Sequence, residues 1–131
     1  MEKKITFSSK IENLREVEKL VDEISVKCKL SADVYGNVLI ASLEAANNAV
    51  LHGNKGDKKK NVTVSFIHEK SKLQIIIEDE GGGFDYHNVP DPTAPENLEN
   101  INGRGVFLME KLSDEVEYHK EGARVELTFN L

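Results

Sequence analysis

Residues 31–53 read Ser31-Ala-Asp-Val34-Tyr-Gly-Asn37-Val38-Leu39-Ile-Ala-Ser-Leu43-Glu44-Ala45-Ala46-Asn47-Asn48-Ala49-Val50-Leu-His52-Gly53. Ser31 is placed as an N-cap, and Gly53 stops the pattern, so one helix is expected from about residue 31 to His52. On a helical wheel two apolar arcs appear. Val34, Val38, Ala45 and Ala49 form one, and Leu39, Leu43, Ala46 and Val50 form the other. A helix that is apolar around most of its circumference is a buried helix. Between the arcs runs a narrow polar stripe of Asn37, Glu44 and Asn48, flanked by Asn47 and His52. A carboxylate buried without partners is costly, so Glu44 is expected to be hydrogen-bonded or to face a wet cavity. Asn48 lies one turn on and points the same way. Such a pair suits a hard cation or an ordered water. The spacing equally allows a polar pair that only fixes helix register.

Working outward, an earlier amphipathic helix runs from about Ile11 to Cys28, with Leu14, Val17, Leu20, Val21, Ile24 and Cys28 on its apolar face. Ile5 and Phe7 alternate as an edge strand. Asn54 to Lys60 is a turn. Val62, Val64 and Phe66 alternate as a strand, and Leu73-Gln-Ile75-Ile-Ile77 is a more deeply buried one. Residues 81–103 read as a long irregular loop of the kind that carries function. A short helix is expected from Arg104 to about Leu112. Two final strands follow, around Val116–Tyr118 and Val125–Phe129, with Gly122 in the turn between them. Strands joined by hairpins, with helices between them, predict an α/β two-layer sandwich. Its sheet is mostly antiparallel, and its helices lie on one face. With 131 residues and no linker-like segment, residues 1–131 are expected to form one domain.

Bulk properties narrow the function. The net charge of -6, with no dense basic stretch, argues against nucleic-acid binding. The Lys58-Lys59-Lys60 run sits in a polar turn and reads as solvated, as does Lys55. Met1–Thr6 has no signal-peptide core, and no apolar run is long enough to cross a bilayer, so a cytoplasmic location and no membrane contact are expected. The single cysteine, Cys28, excludes an internal disulfide and reads as a small apolar residue. The four histidines are scattered and lack cysteine partners, so no zinc site is expected. His52 reads as a capping or core residue, and Phe84 and Phe107 read as core.

Two further fragments complete a site. In Asp79-Glu80-Gly81-Gly82-Gly83-Phe84, an aspartate closes a buried strand ahead of three glycines. Glycines permit close backbone approach to a ligand, and a fixed carboxylate accepts a hydrogen bond from an exocyclic amine such as that of adenine. In Gly103-Arg104-Gly105, glycines and an arginine open the last helix. A helix start offers free N–H groups to phosphate, and Arg104 adds charge. Each fragment alone is also compatible with an ordinary turn or helix start.

In this order, the segments Glu44–Gly53, Asp79–Phe84 and Gly103–Met109 resemble the three boxes of the GHKL superfamily of ATP-binding domains. The compact size and the His52-Gly53 ending make the resemblance strongest to bacterial anti-sigma factor serine/threonine protein kinases. It extends over about residues 8–131. The resemblance implies the Bergerat ATP-binding fold, with ATP and Mg²⁺ as ligands. Glu44 would be the catalytic carboxylate and Asn48 the magnesium ligand. Asp79 would contact the adenine amino group, with Gly81 and Gly83 at its hinge. Gly103, Arg104 and Gly105 would lie at the phosphates, and residues 86–102 would form a lid. It further implies phosphorylation of an anti-anti-sigma protein of the STAS type, sequestration of a sigma factor, and a homodimer. A nucleotide-sensing partner switch with little phosphotransfer is the alternative. One departure stands out: where this family often carries Gly-Thr before the last strand, this chain has Gly122-Ala123.

Overall fold

A computed structural model describes residues 1–81 and 101–131, and the side chains of all of these except 101–105. The elements are β1 (Glu2–Ser8), α1 (Leu14–Cys28), α2 (Ala32–Asn48), β2 (Asn61–Glu69), β3 (Lys72–Asp79), α3 (Ile101–Leu112), β4 (Glu115–His119) and β5 (Arg124–Asn130). The strands form one sheet in the order β1-β2-β3-β5-β4. All pairings among the described strands are antiparallel.

The alternation seen in the sequence fixes which face is buried. In one row across the sheet, Ile5 lies opposite Val64, Val64 opposite Ile77, Ile77 opposite Val125, and Val125 opposite Tyr118. In the next, Phe66, Ile75, Leu127 and Val116 are aligned. Because side chains alternate between faces, each strand sends its apolar set to the same side. Val17, Leu20, Val21 and Ile24 of α1, the small residues Ala41, Ala45 and Ala46 of α2, and Val106 and Met109 of α3 join this surface in a single core. The opposite face is polar; there Thr6 and Thr63 share a cross-strand hydrogen bond of 3.2 Å between their hydroxyls. The helices therefore lie on one face, as expected.

Three boundaries differ from the sequence reading. Ile11–Asn13 forms a 3₁₀ turn, and α1 starts at Leu14. The second helix is α-helical only to Asn48 and passes into a π-helical turn over Ala49–Gly53. The last helix begins at Ile101, not Arg104, so Gly103, Arg104 and Gly105 lie within its first turns rather than at its opening. Glycine lowers helix propensity, but packing of α3 against α2 supplies the stability that propensity lacks.

The junctions are well capped. Lys29 takes the left-handed conformation after α1, with φ 54°, and the Leu30 N–H reaches the Ser25 carbonyl at 3.1 Å. Ser31 Oγ accepts from the Val34 N–H at 3.3 Å, the N-cap expected of it. Among the described residues, no helix is long and apolar enough to cross a membrane.

Candidate functional site

The polar stripe of α2 divides into three environments. Asn37 is exposed. Glu44 is half-buried and lines a groove of about 340 Å³ between α2 and the start of α1, together with Ile11, Glu12, Arg15 and Asn47. Asn48 is only 5% exposed, and its Nδ2 has no hydrogen-bond partner among the described residues. A buried donor without a partner carries a desolvation cost of about 1–3 kcal/mol, so its retention calls for a reason. Immediately after Asn48 the helix widens into the π-helical turn, a distortion frequent at functional sites.

That turn ends at Gly53, which is buried against Asp79. A Cβ at Gly53 would fall within 3.0 Å of the Asp79 carboxylate. A Cβ at Gly81 would collide with the Gly53 carbonyl. The two glycines therefore let the end of the site helix and the end of β3 close to backbone contact. Asp79 is held on both sides. Its N–H donates to the Ala123 carbonyl at 2.8 Å, and its Oδ1 accepts from the Gly81 N–H at 2.9 Å. At 8% exposure, burial raises its pKa above the ordinary aspartate value, the Gly81 N–H acts against that rise, and the neighbouring Glu78 charge adds to it.

Asn54, read from sequence as part of an ordinary turn, is a hub. It is 1% exposed. Its Nδ2 donates to Ser9 Oγ at 2.7 Å and to the Asn61 carbonyl at 3.0 Å, and its Oδ1 accepts from the Glu80 N–H at 2.9 Å. The Glu80 carboxylate in turn accepts from the Asn61 N–H. One amide thus ties the π-helical turn, the end of β1, the start of β2 and the end of β3 together. The sequence signal was slight: a polar residue directly after His52-Gly53, inside a stretch rich in turn formers.

Asp79, Gly81 and Gly53 are brought into contact, and Glu44 and Asn48 lie one turn apart on the helix that ends there. Gly83, Phe84 and most of the expected lid lie outside the described residues. Gly103, Arg104 and Gly105 are described in backbone alone, within α3. Of the other residues weighed, Lys55 and the Lys58–Lys60 run are exposed. His52 and Phe107 are half-buried, as is Cys28, whose thiol pKa burial pushes up.

The sequence matches the histidine kinase-like ATPase domain over residues 7–129. The chain belongs to that family. Among individual relatives, it is 36% identical to a serine-protein kinase RsbW of Bacillus licheniformis over 112 residues, covering 80% of this chain and 70% of that protein. An RsbW of Listeria monocytogenes is 32% identical over the same length, covering 80% and 71%. One from Staphylococcus aureus is 37% identical over 99 residues, covering 68% and 61%. In this histidine kinase-like ATPase domain Ala123, which replaces the threonine expected from the resemblance, is buried, and its carbonyl holds the Asp79 N–H. The backbone contact at that position needs no hydroxyl.

Proposed function

We propose that this chain is an ATP-dependent protein kinase that transfers the γ-phosphate to a serine or threonine of a small anti-anti-sigma protein of the STAS type and, when not so engaged, holds a sigma factor inactive. Family membership and the serine-protein kinase relatives support the activity. The observation that carries the site is the buried Asp79 carboxylate, seated between Gly53 and Gly81 at the end of the helix bearing Glu44 and Asn48.

The residues fit a magnesium nucleotide. The amide of Asn48 is buried and has an orphaned terminal atom; rotation about its last bond exchanges nitrogen for oxygen, and the oxygen is a hard ligand suited to Mg²⁺. Glycine at 53 and 81 lets the backbone close around the Asp79 carboxylate, an approach that any Cβ would prevent. Asp79 accepts from the adenine amino group, and Gly81 and Gly83 form the adenine side. Gly103, Arg104 and Gly105, in the first turns of α3, are assigned to the phosphate end, where the positive dipole of a helix N-terminus and an arginine charge favour an anion. When bound, Mg²⁺ supplies charge neutralisation on the phosphate oxygens.

Glu44 orients the incoming serine or threonine hydroxyl and accepts its proton. It stands on the wall of an open groove, where a second protein can present a side chain. The groove also carries Glu12 and Arg15, so a docking loop meets both signs of charge there. A homodimer, a cytoplasmic location and a single domain over residues 1–131 belong to the same proposal.

Transfer of label from [γ-³²P]ATP to a STAS-type substrate tests it. Glu44→Ala is expected to slow transfer by at least about 10²-fold while ATP affinity stays within a few fold, because a general base acts on the chemical step. A Glu44→Ala protein that transfers as fast as the parent removes the proposed role. Nucleotide binding without transfer in the parent protein would favour the partner-switch alternative.

A further inference from the structure

On the open face of the sheet, away from the helices, three potential ligand atoms converge. Glu117 and His119 lie two residues apart on edge strand β4, and so project from the same face. The register sets Glu117 directly opposite Glu126 of β5. Like charges directly opposite each other destabilise a strand pair, and here the His119 imidazole lies against both carboxylates while Arg124 pairs with Glu126. His119 Nε2 stands 3.4 Å from Glu117 Oε2 and 3.1 Å from Glu126 Oε2. All three ligand atoms lie within 4.8 Å of one another.

These spacings have a chemical meaning. Two ligands at 2.0–2.2 Å from a tetrahedral zinc ion are separated by roughly 3.3–3.5 Å, the edge of the tetrahedron. The His119–Glu117 separation of 3.4 Å falls in that range, and the His119–Glu126 separation of 3.1 Å, itself a hydrogen bond, is slightly shorter. Glu126 is also oriented by a second group: Arg124 donates to its other oxygen, Oε1, at 2.9 Å, which leaves Oε2 turned toward the imidazole. A hydrogen-bonding partner that fixes the free oxygen of a ligating carboxylate is a usual companion of metal ligands. One imidazole and two carboxylates select a borderline divalent ion such as Zn²⁺ over Mg²⁺ or Ca²⁺, which prefer all-oxygen sets. Three protein ligands leave the fourth position to water.

We infer that Glu117, His119 and Glu126 form a binding site for a single Zn²⁺-class ion that clasps edge strand β4 to β5. Scattered histidines without cysteines gave no sign of it in the sequence, because the third ligand comes from across a strand pair. The site shares no residue with the proposed nucleotide pocket.

Calorimetry and bound-metal analysis with Zn²⁺ alone test this on the whole chain, with ¹⁵N NMR of the histidine rings as an independent readout. The parent protein is expected to take up one equivalent, with the His119 Nε2 resonance moving on saturation. His119→Gln and Glu126→Gln are expected to weaken uptake at least about tenfold, in line with the sensitivity of metal affinity to its ligand shells. Both substitutions replace side chains on the open face of the sheet, so the fold is retained and its circular dichroism should be unchanged. Absence of a saturable site in the parent, or equal affinity in His119→Gln, overturns the assignment and leaves the cluster a network of ion pairs.

Discussion

Asp79, the proposed adenine contact, is held at a cost to the fold. Its carboxylate is buried against Gly53, and burial raises its pKa. For an acid with a raised folded-state pKa, the contribution to stability is fully present below the unfolded value, near 3.8, and is lost as pH rises through the folded value. Ionisation of the buried group as pH rises therefore works against folding. Asp79→Asn keeps the shape and still accepts from the Gly81 N–H, yet carries no charge. Thermal melts should show the variant more stable than the parent at pH 7 by a few degrees, the size of ~1 kcal/mol in a chain of this length. That advantage should shrink as pH falls toward 4. Equal melting temperatures at both pH values would contradict the cost assigned to the carboxylate. Asp79, Glu44 and Asn48 were legible in the sequence because a charge or amide inside an apolar pattern is conspicuous. Gly53 was read only as a helix stop, since the steric demand that requires glycine comes from a strand 26 residues away, and one-dimensional spacing does not reveal it.

At the level of elements, the site is held by a junction rather than by any one helix or strand. The π-helical turn over Ala49–Gly53 hands the chain to Asn54, whose amide satisfies groups on three neighbouring segments. A buried amide with all its partners rigidifies a structure, and its removal strands every one of them. Asn54→Ala leaves Ser9 Oγ, the Asn61 carbonyl and the Glu80 N–H without that partner. The expected loss is about 2–3 kcal/mol in chemical denaturation, with nucleotide affinity falling as well. A loss below about 0.5 kcal/mol would mean that water replaces the amide freely. Element types were readable from periodicity, and α1 and β1–β3 follow their apolar patterns closely, whereas Val34, Leu39 and Leu43 of the two expected arcs of α2 are only half-buried. Boundaries were less so. The glycines at 103 and 105 read as the edge of a helix, but α3 runs through them from Ile101, because Val106 and Met109 are buried beneath it and anchor the turn. Propensity lost to tertiary packing there.

At the scale of the molecule, the five antiparallel strands among the described residues present one continuous apolar face to α1, α2 and α3, and Gly53, at the end of the turn that follows α2, meets Asp79 at the end of β3. The alternation of Val62, Val64 and Phe66, and of Leu73, Ile75 and Ile77, made this layering visible in advance, because a period of two admits one buried face. The strand order was less accessible: β5 inserts between β3 and β4 through contacts that no local pattern encodes. The central claim is that this junction takes one magnesium-bound ATP, with Asp79 as its anchor. Calorimetric titration of the parent chain and of Asp79→Asn with Mg-ATP tests it most directly. One nucleotide per chain is expected in the parent, with affinity at least about tenfold weaker in the variant, the size of losing a hydrogen bond to a charged group. No heat at millimolar ATP, or equal affinity in the two proteins, would contradict it.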